Sequence, residues 1–180
     1  DEINRGEISS IFGELFFSID PGYRGVAGTV QTQYQNLIDE GDVYENGFYV
    51  PENVYIVGTM NDIDRSVDSM DFAMRRRFAW KEIKANDRIE MLDSLGDFKE
   101  IAIKRMQNLN YAIENTEGLN SSYHVGPAYF KKAMLYKDNP DNMWADLWEY
   151  HIKGVLYEYV RGMDDVDTKM ADFKKAYNLE

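Results

Sequence analysis

Polar and charged side chains follow an apolar run in the stretch NVYIVGTMNDIDRS, residues 53–66. The run ends at Met60, and Asn61, Asp64 and Arg65 come directly or shortly after it. A polar side chain at the carboxyl end of a buried strand points into the crevice where open α/β sheets bind ligands. An amide at that place can hold a water molecule and a phosphate oxygen together, so Asn61 is a candidate phosphate-site residue.

Helix capping offers a simpler explanation for part of this stretch. Asp64 or Ser66 can cap the short helix predicted over residues 66–77, because acids and hydroxyls favour the positive N-terminus of a helix. Capping accounts for Asp64 or Ser66 but leaves Asn61 unexplained.

Two adjacent acids, Asp1 and Glu2, open the chain. At the end of a parallel strand, one such carboxylate can hold Mg²⁺, directly or through water, and the other can orient or polarise an attacking water. Pairs of acids are common, so taken alone this pair is better explained as a charged chain end.

Three consecutive arginines, Arg75, Arg76 and Arg77, end the predicted helix and lead into Phe78. At the helical spacing their side chains fan over about 200° of the surface, so they cannot all point one way. One or two are expected to pair with local acids while another faces outward. An exposed arginine there can reach a neighbouring subunit's phosphate site, although cations are also simply favourable at a helix C-terminus.

The elements around these residues indicate an α/β segment. Apolar residues at helical spacing predict a helix over residues 7–20, and residues 23–50 have the pattern of a hairpin-bearing insertion. The continuous apolar run of residues 53–60 favours a strand buried on both faces, and residues 78–83 alternate as a further strand.

Helical periodicity continues from Lys84 to the end of the chain, and Pro127 suits the first turn of one helix. The predicted fold class is therefore α/β followed by all-α, with residues 1–84 and 85–180 as its two parts. The apolar stripes of the predicted helices are Phe98, Ala102, Met106, Leu109 and Ile113; Leu147, Trp148, Ile152, Val155, Leu156 and Tyr159; and Val166, Met170, Phe173 and Tyr177.

Composition narrows the classes of function. A net charge of −12 over 180 residues makes a poor general binder of nucleic acid, which needs clustered cations. The absence of cysteine excludes disulfides and thiolate metal sites and is compatible with the cytosol, and no apolar run reaches membrane-spanning length. His124 and His151 are too far apart in sequence to indicate a metal site, and His151 is expected on the surface.

The order of these segments resembles the second half of an AAA+ nucleoside triphosphatase. It is most similar to the McrB family, the GTPase motor subunits of restriction systems that cut DNA carrying methylcytosine. The segments that carry the resemblance are DEINRG at 1–6 (Walker B), GELFFSID at 13–20, FYVPENVYIVGTMN at 48–61, NDIDRS at 61–66 (family NTADRS), FAMRRRF at 72–78 (family ALRRRF) and, more weakly, HVGPAYF at 124–130 (family IGHSYF).

The resemblance implies a role for each candidate residue near the nucleotide. Asp1 would be the Mg²⁺-associated Walker B acid and Glu2 the catalytic acid that activates water. Asn61 would be the sensor near the γ-phosphate. Asp64 and Arg65 would support that site or the subunit interface.

The resemblance also implies partners. Arg76 and Arg77 would be the arginine-finger candidates, Arg77 being favoured, and would act on the next subunit of a ring expected to be a hexamer. Mg²⁺ and GTP, or ATP, would be bound, a McrC-type nuclease would be driven, and DNA would be read by an upstream domain.

Three departures from the family pattern limit these expectations. Asp62 and Ile63 stand where the family has Thr-Ala, and Pro127 stands where it has His, so nucleotide preference and any lid sensor are left open. GxxxxGK[ST], the phosphate-binding loop, does not occur. We therefore expect a fragment that starts at Walker B, is inactive alone, and exposes unpaired strand edges unless it pairs with another copy or is ordered mainly in its helical part.

Two other functions fit parts of the pattern. The MoxR and dynein-related AAA+ ATPases, which remodel proteins or assemble metal cofactors, also use DEINR at Walker B. A non-catalytic interaction module would account for the missing phosphate loop.

Overall fold

Residues 1–61, 63, 70 and 72–179 are described by a computed structural model of the protein. The chain divides into two compact units, Asp1–Lys81 and Glu82–Glu180, and the division falls beside Lys84. None of the helices in these described ranges has the length and apolar character that crossing a membrane requires.

The first unit is built from short helical segments. The helix predicted over residues 7–20 is present in two pieces, α1 (Ile8–Phe12) and a 3₁₀ segment (Gly13–Ile19), which meet at Gly13 with φ +49°. It stops as predicted at Asp20, whose carboxylate accepts a hydrogen bond from the Gly22 N–H at 2.9 Å. The segments of this unit are Ile3–Arg5 (3₁₀), α1 (Ile8–Phe12), Gly13–Ile19 (3₁₀), Pro21–Tyr23 (3₁₀), Val26–Gly28 (3₁₀), Gln35–Leu37 (3₁₀) and α2 (Phe72–Arg75).

The insertion at residues 23–50 is closed by an antiparallel bridge between Val30 and Phe48. The Val30 N–H donates to the Phe48 carbonyl at 2.9 Å, and the Phe48 N–H donates to the Val30 carbonyl at 2.8 Å. Gly47 has φ +102°, and a Cβ there would lie 2.6 Å from the Val30 carbonyl oxygen, so only glycine fits this turn. The antiparallel pairing predicted for the insertion is confirmed.

The α/β prediction for the first unit is not confirmed. Within the described ranges the Val30–Phe48 bridge is the only β pairing, and residues 53–60 and 78–83 are not strands. Burial of 53–60 on both faces is wrong for this structure, because Tyr55 is 86% and Val57 88% exposed. A strand exists through a ladder of hydrogen bonds to a neighbour, and this segment has isolated contacts in place of a ladder.

The second unit is helical, as predicted. Pro127 occupies the first turn of α4 (Pro127–Lys131), where its missing N–H has no cost. The segments are Ala85–Phe98 (3₁₀, kinked at Arg88 and Gly96), α3 (Lys99–Glu114), Ser121–Tyr123 (3₁₀), α4 (Pro127–Lys131), Lys132–Tyr136 (3₁₀), α5 (Met143–Leu147), Trp148–Ile152 (π), α6 (Lys153–Val160) and α7 (Val166–Asn178).

One hydrophobic core holds the second unit together. The predicted stripe of α3 is buried except for Phe98, which is half-buried and lies just before the helix begins. The helix packs against α7, whose Phe173 and Tyr177 are buried as well. Burying a large apolar side chain contributes about 1.5–3 kcal/mol. The buried members of the core are Leu92, Leu95, Ala102, Met106, Leu109, Ile113, Leu119, Val125, Phe130, Ala133, Met143, Leu147, Trp148, Ile152, Leu156, Val160, Phe173 and Tyr177.

Two polar side chains fix loops and helix ends onto this core. Asn110 of α3 is buried, donates to the Val125 carbonyl at 3.1 Å and accepts from the Val125 N–H at 2.7 Å. Arg105 donates to the Tyr177 carbonyl at 2.7 Å and lies 5.0 Å from the centroid of the Trp144 ring. Partial burial lowers the pKa of Arg105, which stays charged at neutral pH.

Candidate active site

The opening acidic segment lies alongside the end of the apolar run. The Ile3 N–H donates to the Thr59 carbonyl at 2.9 Å, and the Asn4 side-chain amide donates to the Asn61 carbonyl at 3.0 Å. A Cβ on Gly58 would lie 2.6 Å from Ile3 Cδ1, so glycine permits this close approach. Two segments that are far apart in the sequence are thereby joined where each carries its candidate site residues.

Thr59 links both acids to this junction. Its hydroxyl oxygen accepts from the Glu2 N–H at 3.0 Å, and the hydroxyl donates to Asp1 Oδ1. Sequence reasoning missed Thr59. Because side chains two residues apart in an extended chain share a face, its spacing from Asn61 was the signal that could have found it.

Glu2 has an unusual backbone and a loosely held side chain. Its φ of +48° and ψ of +52° lie in the left-handed region, which residues other than glycine seldom adopt. Its carboxylate lies 2.5 Å from Arg5 Nε, and both side chains are about half exposed. An ion pair exposed to solvent contributes little, so this one leaves the Glu2 carboxylate free to take another partner.

Asn61 is exposed at the same junction. Its side-chain oxygen accepts from the Ile63 N–H at 3.4 Å, a long and therefore weak hydrogen bond. The side chain can thus turn toward a ligand at little cost. Asp64 and Arg65, the supporting residues of the prediction, lie outside the described residues, as does Asp62.

The first and third arginines of the triplet are engaged by aromatic rings. The Arg75 guanidinium lies 4.9 Å from the Trp80 ring centroid, and the Trp80 indole N–H donates to the Arg75 carbonyl at 2.7 Å. The Arg77 guanidinium lies 3.9 Å from the Phe16 ring centroid and donates to the Ala73 carbonyl at 2.5 Å.

The middle arginine, Arg76, is exposed, and its side chain contacts no ring, acid or carbonyl in the described part of the chain. One arginine of the triplet faces outward as expected, but within the described residues the expected pairing of the others with local acids is not found. The local partners are aromatic rings and carbonyl groups, which the charge pattern alone does not indicate.

The donor set of the junction fits one class of metal. Mg²⁺ typically takes one or two carboxylates, keeps several waters and completes its shell with substrate phosphates. Asp1 and Glu2 supply two carboxylates on the segment that contacts Thr59 and Asn61, and the described residues hold no cluster of three or more histidines or acids that would form an all-protein cage. The junction therefore suits Mg²⁺ that arrives with a phosphate ligand.

The two histidines lie in the second unit and have separate partners. His124 Nε2 is 3.4 Å from Glu114 Oε2. The expectation that His151 is a surface residue is wrong in part, because it is half-buried and its Nε2 shares a 2.9 Å hydrogen bond with the Tyr136 hydroxyl. Burial and, secondarily, Lys132 lower the pKa of His151, which favours the neutral ring.

Two curated proteins are similar to this chain. The Escherichia coli (strain K12) Type IV methyl-directed restriction enzyme EcoKMcrB subunit is 35% identical over 154 residues, which cover 81% of this chain. The chain is McrB-like. The Bacillus subtilis (strain 168) Type II restriction enzyme BsuMI component YdiS is 23% identical over 177 residues, or 88% of this chain.

The McrB-like chain spans only part of each relative, 32% of the Escherichia coli protein and 48% of the Bacillus subtilis protein. No protein-family model matches it. The similarity thus supports the assignment of this chain to a component of a restriction system. It does not by itself assign the activity of a whole protein to this chain.

Proposed function

We propose that the chain is part of a nucleoside-triphosphate-hydrolysing motor subunit of a modification-dependent DNA restriction system. Both relatives are named as parts of restriction enzymes, and the first is named as methyl-directed. GTP is the proposed substrate, since the McrB-like segments DEINRG, NDIDRS and FAMRRRF resemble those of GTPase motors.

The two units have distinct proposed identities. Asp1–Lys81 is the second half of an AAA+ core, and Glu82–Glu180 is its helical lid. The order acidic segment, helix, insertion, apolar run, short helix and arginine triplet supports the first assignment. The all-helical second unit supports the other.

The observation that carries the proposal is the junction of residues 1–5 with residues 58–61. Ile3 and Asn4 donate to the Thr59 and Asn61 carbonyls, so the segment that carries the two carboxylates lies against the segment that carries the Asn61 amide. In a phosphoryl-transfer site these three groups are needed together, because catalysis there rests on positioning and on stabilising charge.

Each group of the junction has a chemical role in hydrolysis. Glu2 accepts a hydrogen bond from the attacking water and orients it toward the γ-phosphorus. Asn61 holds the same water and a γ-phosphate oxygen. Asp1, held by the Thr59 hydroxyl, would hold Mg²⁺, which offsets the charge on the phosphate oxygens when bound.

The arginine triplet completes the site from a neighbouring copy in this proposal. A finger residue supplied by one subunit stabilises the charge that develops on the phosphoryl group bound by the next. That arrangement requires a head-to-tail ring, for which a hexamer is proposed. A McrC-type nuclease would be the partner in the cytosol, and DNA would be bound by another domain, since this chain carries a charge of −12.

The isolated chain is not proposed to hydrolyse nucleotides. GxxxxGK[ST] occurs nowhere in its sequence, and the glycines of GVAGTV at 25–30 have no lysine beside them. The backbone N–H groups and the lysine of a phosphate loop are what hold the β- and γ-phosphates.

The test is GTP and ATP hydrolysis by the full-length protein that contains this chain. GTP is expected to be preferred, and Glu2→Gln is expected to lower kcat about 10²- to 10⁴-fold because it removes the group that orients water. Glu7→Gln, a matched change at an exposed acid of the same region, is expected to leave kcat unchanged.

The other outcomes identify the alternatives. A preference for ATP, with the same loss in Glu2→Gln, would favour a MoxR or dynein-related ATPase. Absence of hydrolysis of either nucleotide would favour a non-catalytic interaction module and contradict the proposal.

A further inference from the structure

The insertion at residues 23–50 presents large apolar side chains to solvent. Four of them, which are 50–86% exposed, are called the insertion face: Tyr34, Leu37, Val43 and Tyr44. Single exposed apolar residues are ordinary, but several together mark an interaction site. We propose that the insertion face binds a basic segment of another protein, with a cationic side chain of that segment in an adjoining pocket. This inference goes beyond the proposed function and does not depend on nucleotide hydrolysis.

Hydrogen bonds bring the two parts of the insertion face together. Tyr34 and Leu37 are three residues apart on a 3₁₀ turn, where side chains at that spacing lie on the same side. The Gln35 side-chain amide donates to the Tyr44 and Glu45 carbonyls at 2.8 and 2.9 Å. The 3₁₀ turn is therefore held beside residues 43–45, so the four apolar side chains are neighbours.

A pocket of about 230 Å³ adjoins the insertion face. It is lined by residues from both of these parts of the insertion: Thr32, Gln35, Ile38, Tyr44 and Phe48. Pockets for small-molecule ligands typically measure about 300–1,000 Å³, so this one better suits a single side chain of a partner. The apolar stem of an arginine or a lysine can lie along its aliphatic and aromatic walls.

One polar atom of the lining residues lacks a partner. Gln35 Oε1 is buried and accepts no hydrogen bond within the part of the chain that the structure describes. The two bonds made by the amide nitrogen of the same side chain fix its orientation. A buried acceptor without a donor is costly, and guanidinium and ammonium groups carry donors only. A cationic side chain in the pocket would supply the missing donor.

The charge of the insertion also favours a cation. Residues 25–64 contain no arginine, lysine or histidine, whereas residues 39–45 contain four acids. Within the described residues none of these four acids forms an ion pair with a cation. Such a concentration of one sign of charge attracts a partner of the other sign. It repels nucleic acid, and a second copy of a chain with a charge of −12 suits it less than a basic segment does.

The backbone of the insertion is closed without a further strand. The bridge between Val30 and Phe48 joins its two sides, whereas the apolar run at 53–60 has no such pairing. The insertion face is therefore not the open edge of an unfinished sheet. This difference favours a separate protein as its occupant over another segment of the same chain.

The experiment measures binding of a fluorescent peptide to the full-length protein by fluorescence anisotropy. The probe is a short peptide in which arginines alternate with leucines. In the control peptide each arginine is replaced by citrulline, which keeps the shape of the side chain and removes its charge. The arginine peptide is expected to bind at least about 10-fold more tightly at low salt, and the difference is expected to shrink as salt screens the charges.

Matched apolar variants show whether the insertion face is the binding site. Val43→Ser removes an apolar side chain that is 86% exposed, so the fold is expected to tolerate it. It is expected to weaken peptide binding about 5- to 10-fold, as truncation of an important interface residue does. Val26→Ser is the same change at a valine that is 74% exposed outside the insertion face, and is expected to leave binding unchanged.

Matched charge variants test the acids in the same way. Asp39→Asn/Glu40→Gln is expected to weaken binding of the arginine peptide about 3- to 10-fold at low salt and to leave the citrulline peptide unaffected. Glu7→Gln/Glu52→Gln removes two exposed acids elsewhere in the first unit and is expected to change neither. Equal binding by all four variants, or equal binding of the two peptides, would overturn the inference.

Photocrosslinking locates the cationic side chain without altering the protein. A benzophenone beside the central arginine of the peptide is expected to crosslink within residues 32–48, the range that contains the lining residues. Crosslinks confined to other parts of the chain would contradict the proposed pocket.

Hydroxyl-radical labelling of Tyr34 and Leu37 in the full-length protein distinguishes the possible occupants. Both side chains are expected to be labelled in the free protein and protected when the arginine peptide is added. Protection without peptide at every protein concentration would mean that another segment of the same chain covers the face. Protection that appears only at high protein concentration would mean that a second copy covers it, and either result would overturn the inference.

Discussion

The two units differ in how much of their apolar surface they bury. The second unit buries 18 hydrophobic residues in one cluster. Within the described part of the first unit, Ile19 and Met74 are the buried hydrophobic residues, whereas Tyr55 and Val57 are almost fully exposed. A helix forms its backbone hydrogen bonds within one segment, whereas a strand needs a neighbouring strand as its partner. Local sequence can therefore specify a helical unit, but it cannot specify a sheet.

The sharpest test of this contrast is the same truncation in each unit. Leu109 of α3 is fully buried, and Leu109→Ala is expected to lower the free energy of unfolding by about 3–5 kcal/mol, the sum of lost burial and a cavity. Leu37 of the insertion is 71% exposed, so Leu37→Ala is expected to change it by less than about 0.5 kcal/mol. Chemical denaturation of both variants measures the difference, and equal effects would contradict the contrast.

A smaller difference is expected between two buried asparagines. Asn110→Ala removes two hydrogen bonds to Val125 and leaves a buried N–H and a buried carbonyl without partners. It is expected to lower the free energy of unfolding by about 2–3 kcal/mol. Asn4→Ala removes one bond to the Asn61 carbonyl and also deletes a buried oxygen that has no partner within the described residues. Asn4→Ala is therefore expected to lower the free energy of unfolding by less than about 1 kcal/mol.

The stability losses of Asn110→Ala and Asn4→Ala are compared through the denaturant concentrations at which each variant is half unfolded. Asn115→Ala is the control for the second unit, because that side chain bonds the Tyr111 carbonyl on an exposed surface. A loss in Asn4→Ala as large as that in Asn110→Ala would show that the junction of the first unit is as firmly built as the core of the second.

The weakest expected effect is a loss of stability of the second unit at alkaline pH. Burial, aided by neighbouring Tyr129 and Tyr123, raises the pKa of Tyr159 to about 12. The folded state thus binds the phenol proton more tightly than the unfolded state, whose pKa is about 10. The contribution of this phenol to the free energy of unfolding is fully present below about pH 10. It decreases by about 1–2 kcal/mol as pH rises toward 12, after allowance for solvent screening.

Denaturation of the second unit at several alkaline pH values, monitored by helical circular dichroism, checks this sign. Tyr159→Phe has no phenol to ionise and is expected to show a shallower decline between pH 10 and 12. An identical decline in the variant would mean that Tyr159 does not carry the effect.

Helical periodicity predicted the second unit well because it reports local burial directly. The stripe Ala102, Met106, Leu109 and Ile113 is buried as its spacing indicates, and Pro127 sits in the first turn of α4. The π segment Trp148–Ile152 within the α5–α6 run was not predicted, since periodicity does not distinguish it from an α-helical turn.

The first unit was predicted less well because its elements depend on contacts between distant residues. The run at 53–60 has strand composition but no ladder, so composition alone gave the wrong element. For the candidate site, the types of residue were readable, but the tie of Thr59 to Asp1 and of Arg77 to Phe16 joins segments separated by more than fifty residues. No spacing rule links such residues, although the position of Thr59 relative to Asn61 was a usable signal.

The central claim is that the acids of one copy and Arg76 of the next form one hydrolytic site. The most direct measurement mixes full-length Glu2→Gln and Arg76→Ala proteins, each inactive alone, in equal amounts and follows GTP hydrolysis. Roughly a quarter of the interfaces in a randomly mixed head-to-tail ring then pair an intact Glu2 with an intact Arg76, so activity is expected to return to a comparable fraction. If the mixture stays as inactive as its components while the unsubstituted protein hydrolyses GTP, the two groups do not act across a subunit interface.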